Sequence, residues 1–99
     1  MKKLMDKMFS EIMSIPKESW EIIKDNDQKT AVIKYKKHLI TVSSLITHSE
    51  TGFSWRATIV HNGLGTEEFD SDRSRQLWLK MRDIAKEQYS QYLKSLLNE

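Results

Sequence analysis

The sequence has 99 residues, a length that accommodates one domain with one core and leaves little room for a deep, closed active site. Its 16 basic and 14 acidic residues give a net charge of only +2, which does not by itself argue for nucleic-acid binding. There is no cysteine, which excludes disulfides, cysteine-ligated zinc and a thiol nucleophile.

The N-terminal segment MKKLMDKMFSEIM lacks the uninterrupted apolar region of a signal peptide. No apolar run in the chain approaches the ~20 residues of a membrane span. We therefore expect a single cytoplasmic domain over residues 1–99, with no membrane association.

Residues 2–14 carry an apolar stripe at helical spacing, which predicts an amphipathic helix. The stripe consists of Leu4, Met5, Met8, Phe9, Ile12 and Met13. Pro16 predicts the end of this helix, because proline disfavours the helical conformation of the residue before it. Methionine is adaptable, so the stripe suits either a core or a partner surface, and core filling is the more common role.

Five segments then read as strands, because they are rich in β-branched and aromatic residues and are separated by polar turns. They are residues 19–24, 30–36, 39–47, 53–60 and 66–69. The connecting loops are predicted at 25–28, at Lys37–His38, at 49–52 and at 63–65. In that scheme Gly65 takes the left-handed position of a three-residue hairpin loop.

Directly opposed residues of an antiparallel pair face the same side, so the apolar alternation predicts the register. The expected pairs are Ile22 with Ala31, Tyr35 with Ile40, Lys34 with Thr41, Ile46 with Trp55, Ser43 with Thr58, and Ile59 with Phe69. One face then collects Trp20, Ile22, Ala31, Ile33, Tyr35, Ile40, Val42, Ile46, Trp55, Ala57, Ile59 and Phe69. This agreement between strands predicts an antiparallel meander.

A long helix is predicted to begin near Ser71 or Asp72, both good N-caps, and to run to Leu97. At 1.5 Å per residue, ~26 residues span about 39 Å, more than a short sheet needs. Its distal part, Tyr89 to Leu97, is a candidate for packing on the N-terminal helix or on a second chain. The residues predicted to mediate self-association are Met8, Met13, Tyr89, Tyr92, Leu96 and Leu97.

The predicted fold class is therefore α+β, with an N-terminal helix, a four- to five-stranded antiparallel meander and a long C-terminal helix. Both helices are expected on one face of the sheet. The opposite face is predicted to carry the partner-binding or nucleic-acid-binding residues Lys34, Lys36, Thr41, Ser43, Leu45, Arg56, Thr58 and Val60. Basic and hydroxyl groups there suit phosphate, while the apolar members suit a protein partner.

No catalytic or metal-binding pattern is present in the sequence. The histidines, His38, His48 and His61, fall at strand ends or turns and are not expected to converge on a metal. Glu67 and Glu68 alternate faces on a strand, and no serine sits in a Gly-x-Ser-x-Gly elbow. We expect neither an enzyme nor a cofactor.

Part of the chain resembles a known domain. The resemblance consists of the run WRATIV, a glycine turn, a short strand ending in EEFDS and a helix containing LW. That domain is the three-strand-plus-helix DNA-binding domain near the start of some tyrosine recombinases, and the resemblance covers about residues 39–85. It implies DNA binding, although Glu67 and Glu68 occupy a strand in which that domain type favours basic groups.

The leading hypothesis is a small, non-enzymatic protein-interaction module. It would be a regulator or inhibitor of a larger complex, encoded by a phage or mobile element and acting by steric blocking. A homodimer is a linked hypothesis. The alternative is nucleic-acid or nucleotide binding through the outer face of the sheet.

Overall fold

The computed structural model describes residues 2–24, 27–61 and 65–98. The chain forms helix α1 (Lys2–Ser14), a short 3-10 turn (Lys17–Ser19), strands β1 (Trp20–Lys24), β2 (Gln28–Tyr35), β3 (His38–Ser49), β4 (Gly52–His61) and β5 (Gly65–Phe69), and helix α2 (Ser71–Leu97). The strands form one antiparallel sheet in the order β1-β2-β3-β4-β5. The predicted α+β fold is confirmed.

The core lies between one face of the sheet and both helices. Ile12 of α1 and Leu77 of α2 are fully buried and join the same apolar cluster as Ile33 and Ile59 of the sheet. Of the sheet residues predicted to face the core, eight are buried: Trp20, Ala31, Ile33, Ile40, Val42, Ala57, Ile59 and Phe69. Ile22 and Tyr35 pack against this cluster from its rim.

Two of the predicted registers are confirmed. In the β1–β2 pair, Ile22 lies opposite Ala31. In the β3–β4 pair, Ile46 lies opposite Trp55 and Ser43 opposite Thr58. The turn between β3 and β4 is tighter than expected, because Ser49 already pairs with Gly52.

The register between β2 and β3 differs from the prediction by two residues. Tyr35 pairs with His38 and not with Ile40, which leaves a two-residue turn of Lys36 and Lys37. Consequently Lys34 lies opposite Leu39 and not opposite Thr41. A shift by two keeps every side chain on its face, so the apolar alternation could not distinguish the two registers.

The β4–β5 pair shows the same kind of difference. Phe69 lies opposite Ala57, and Ile59 opposite Glu67, so the predicted pairing of Ile59 with Phe69 is wrong by two residues. Gly65 belongs to β5, where it pairs with His61. The other positions of the expected loop, 63 and 64, lie outside the described residues.

Helix α2 begins slightly earlier than predicted. The Asp70 carboxylate accepts a hydrogen bond from the backbone N–H of Arg73 at 2.9 Å, so Asp70 is the N-cap. Ser71 is the first helical residue. The Asp72 carboxylate accepts instead from Nε2 of Gln76 at 3.0 Å. The short side chain of Asp70 satisfies a helix N–H that would otherwise be unpaired.

Helix α1 lies beside the first half of α2 and is fixed there by polar contacts. Arg73 pairs with Asp6, and the Lys80 ammonium donates a 2.6 Å hydrogen bond to the carbonyl of Met13 at the C-terminal end of α1. A cation suits the negative end of a helix. Burial lowers the pKa of Lys80, so this contact is made by a partly desolvated charge.

Candidate interaction surfaces

The outer face of the sheet, the side turned away from both helices, carries most of the residues predicted to bind a partner. Register places Lys34 on β2, Thr41, Ser43 and Leu45 on β3, and Arg56, Thr58 and Val60 on β4. Lys36 is the exception, because it lies in the β2–β3 turn with a positive φ of 57°. Its Nζ lies 5.0 Å from the ring centroid of Tyr35, which belongs to the core face.

Several polar side chains of the outer face form hydrogen bonds or ion pairs with neighbouring side chains. Arg56 Nε donates to Oε1 of Glu68 at 3.1 Å across the β4–β5 pair. The Ser43 hydroxyl accepts from Nε2 of Gln28 at 2.9 Å and lies 3.2 Å from the Thr30 hydroxyl. These contacts reduce what the face can offer to a phosphate.

The outer face also exposes large apolar side chains. Ile23 is 58% exposed, Leu39 54% and Leu45 36%. An apolar surface interrupted by matched polar groups resembles a protein-binding face more than a nucleic-acid-binding one. The outer face thus combines exposed apolar side chains with polar side chains that are partly paired with one another.

The distal part of α2 carries a second exposed apolar surface, which we call the distal stripe. It consists of Tyr89, Tyr92, Leu93, Leu96 and Leu97, which are 61%, 58%, 41%, 48% and 86% exposed. Along α2 the buried residues end at Ile84. Gln88 makes a further contact with the sheet, donating from Nε2 to the carbonyl of Trp20 at 3.0 Å.

The distal stripe is centred on a different side of α2 from its core-facing residues. That side is formed by Ser74, Leu77, Met81 and Ile84, and the helical repeat extends it to Gln88, Gln91 and Ser95, which are polar. At 100° per residue the distal stripe lies roughly a quarter turn away. Within the distal stripe, Tyr92 lies five full turns after Ser74 and so at the same angle, whereas Leu93 and Leu97 lie farthest from the core-facing side.

The residues predicted to mediate self-association fall into separate places. Tyr89, Tyr92, Leu96 and Leu97 belong to the distal stripe, whereas Met8 and Met13 pack against the core. Because α1 contacts α2 near Arg73 and Lys80, the N-terminal helix does not cover the distal stripe. Of the two coverings considered for Tyr89–Leu97, packing on the N-terminal helix is not observed.

Met8 also lines a shallow groove between α1 and the β2–β3 turn. The groove has a volume of about 390 Å³ and is bordered by Leu4, Met5, Tyr35 and Lys36. Leu4 is 66% exposed at its edge. The Tyr35 hydroxyl donates to Oε2 of Glu11 at 2.6 Å at the groove wall, so the groove is mixed in character.

An aromatic and cationic cluster near the free end of the β3–β4 hairpin was not predicted from the sequence. The Trp78 indole lies 5.2 Å from Nζ of Lys29 and 5.9 Å from the guanidinium of Arg82, and the Arg75 guanidinium lies 5.7 Å from the Trp55 ring. The indole N–H of Trp78 donates to the carbonyl of Asp27 at 3.2 Å.

The sequence did contain a signal for this cluster. Extending the strand alternation backward from Ala31 places Lys29 on the core face, where it is only 5% exposed. Trp78 lies on the same side of α2 as Tyr89, since eleven residues are close to three full turns. A partner lying along that side would meet both the cluster and the distal stripe.

The described residues contain no group of three histidine or carboxylate side chains able to hold a metal ion. His38 and His48 lie in different places along β3, and His48 Nε2 is 3.2 Å from Oδ2 of Asp27 on the surface. The side chain of His61 lies outside the described residues. Among the described helices none is long and apolar enough to cross a membrane.

Comparison of the chain with models of protein families, with curated protein sequences and with solved structures finds no significant match.

Proposed function

We propose that this protein is a small, non-enzymatic protein-binding module whose main contact element is the distal stripe of α2. One observation carries the proposal. Beyond Ile84 the described part of α2 has no buried residue, while five large apolar side chains centred about a quarter turn from the core-facing side are exposed. Exposed tyrosines and leucines in a contiguous row are characteristic of protein interfaces and costly to leave in water.

The mechanism would be steric. The distal stripe follows Gln88, which donates a hydrogen bond to Trp20 of β1, and its side chains are exposed to solvent. A partner docked on it would also approach the Trp78 cluster on the same side of the helix. Once bound, this protein would cover the surface of the partner that it contacts. The outer face of its sheet would stay free for a second contact.

The biological setting belongs to the proposal as well. We propose a cytoplasmic regulator or inhibitor of a larger complex, encoded by a phage or mobile element. The small size and the absence of cysteine fit that setting.

The test is affinity capture from cells that naturally contain the protein, using tagged wild type and the double variant Tyr92→Ser, Leu96→Ser. Captured proteins should be lost with the double variant, because both changes remove apolar contact area from the distal stripe. The matched control is Gln91→Ala with Ser95→Ala, on the same turns but on the other side of the helix. An identical captured set from all three proteins would contradict the proposal.

The alternative function, nucleic-acid binding, is supported by one observation. Arg75 on Trp55 and Arg82 on Trp78 bring cations and aromatic rings together, as surfaces that bind single strands do. The same capture experiment with nuclease treatment separates the two functions. Loss of the captured material on nuclease treatment, irrespective of the distal stripe, would favour nucleic acid.

A further inference from the structure

We infer that the occupant of the distal stripe is a second copy of this chain, bound through antiparallel pairing of the two α2 ends. The inference rests on the proposed function, because it names the partner of the same surface. The twofold axis would pass between positions 92 and 93.

The spacing of the distal stripe is self-complementary about that axis. Tyr89 and Leu96 lie at equal distances from it, and Tyr92 and Leu93 flank it. In an antiparallel pair, Tyr89 of one copy therefore lies level with Leu96 of the other at both ends of the overlap. A parallel pair would instead place tyrosine on tyrosine and leucine on leucine, and would crowd the two sheets at the same end.

The length of the projecting helix fits this arrangement. In the antiparallel register, Leu97 of one copy lies level with Gln88 of the other. Gln88 contacts the sheet of its own copy through the carbonyl of Trp20. Each projecting end therefore reaches the sheet edge of the second copy without overlapping it, and antiparallel helix dipoles attract.

Charge and area support a reversible dimer. The distal stripe contains no lysine, arginine, histidine, aspartate or glutamate, so pairing two copies brings no like charges together. The five exposed side chains offer on the order of 500 Å² per copy, near the lower limit of specific interfaces. We therefore expect a dissociation constant of about 1–100 µM.

Sedimentation equilibrium of the full chain tests the inference. We expect the wild type to convert from monomer to dimer across this concentration range. Leu93→Asp should weaken the dimer at least about tenfold, because it buries two carboxylates beside the axis. Gln91→Asp, which adds the same charge on the opposite side of the helix, should leave the dimer unchanged.

Single-cysteine variants test the orientation, and the natural chain supplies a cysteine-free background. Under mild oxidation Leu93→Cys should form a disulfide with its own copy across the axis. Tyr89→Cys should not, since the two copies of position 89 would be about 10 Å apart along the helices. A mixture of Tyr89→Cys and Leu96→Cys should form the mixed disulfide.

The outcomes separate this inference from the proposed function. Self-crosslinking of Tyr89→Cys would overturn the antiparallel arrangement. If the protein is a monomer at all concentrations and Leu93→Cys does not crosslink, the inference that a second copy occupies the distal stripe is wrong. If capture of another protein still depended on the distal stripe in that case, the proposed function would stand and only its partner would change.

Discussion

Ser44 shows how single residues position α2 on the sheet. It is fully buried on the core face of β3, and its hydroxyl donates to the carbonyl of Ser74 at 2.8 Å. Ser74 is also fully buried and donates to the carbonyl of Asp70 at 2.7 Å. With Ala57 opposite Ser44, small side chains on both sides let the helix approach the sheet closely.

Replacing Ser44 by valine should therefore destabilise the protein by about 1–3 kcal/mol, because the added methyl groups overpack a closed contact and the hydrogen bond is lost. The matched control is Ser43→Val, the same change on the outer face, which should alter stability by less than about 0.5 kcal/mol. Urea unfolding monitored by circular dichroism measures both. Equal effects would show that α2 does not contact β3 at Ser44.

At the residue scale the sequence predicted which face of the sheet a side chain lies on better than it predicted which residue that side chain contacts. The pairing of Ser44 with Ala57 follows from the predicted register in which Ile46 lies opposite Trp55, but the hydrogen bond to Ser74 depends on the angle at which α2 crosses the sheet. Similarly, the burial of Lys29 beneath Trp78 requires two distant segments to meet. Alternation places Lys29 on the core face, but which residue of α2 lies above it, like the Ser44–Ser74 contact, leaves no periodic signal in the sequence.

At the scale of elements, alternation predicted which residues face the core and left the register open in steps of two. Both incorrect registers, β2–β3 and β4–β5, are shifts by two residues. The correct choice depends on turn geometry, and in β2–β3 the turn is Lys36–Lys37, without the glycine or asparagine that usually marks a tight hairpin.

The Lys36 backbone makes this turn testable. Its φ of 57° lies in the left-handed region, which is unfavourable for a residue with a side chain. Lys36→Gly should raise the free energy of unfolding by about 0.5–1 kcal/mol, because glycine adopts positive φ without steric cost. Lys37→Gly, one residue later, should be neutral or destabilising.

Thermal unfolding of the two glycine variants provides the measurement. Because the substitutions remove the same charge and side chain from neighbouring positions, their difference isolates the backbone contribution. A Lys36→Gly variant no more stable than Lys37→Gly would argue against the two-residue turn and for the wider loop.

For the whole molecule, α2 divides into a part that folds the domain and a part that projects from it. The length of the predicted helix indicated an excess beyond the sheet, and that expectation agrees with the exposure of Tyr89 and Leu97. The structure was needed to show where burial ends along α2, because its apolar residues form one continuous periodic pattern in the sequence.

A chain ending after residue 88 should therefore fold as stably as the full chain measured below its dimerisation range. Its buried α2 residues, Ser74, Leu77, Met81 and Ile84, are all retained. We expect the free energies of unfolding to agree within about 0.5 kcal/mol. By contrast, Met81→Ala in the full chain should cost about 2–5 kcal/mol, because it opens a cavity in the core.

Concentration dependence gives the same experiment a second readout. Dimerisation stabilises the folded state by mass action, so the melting temperature of the full chain should rise with protein concentration. The shortened chain, which lacks the distal stripe, should melt at one temperature at all concentrations. If the shortened chain is unfolded under native conditions, residues Tyr89–Leu97 are required for folding. The division of α2 into a folding part and a projecting part would then be wrong.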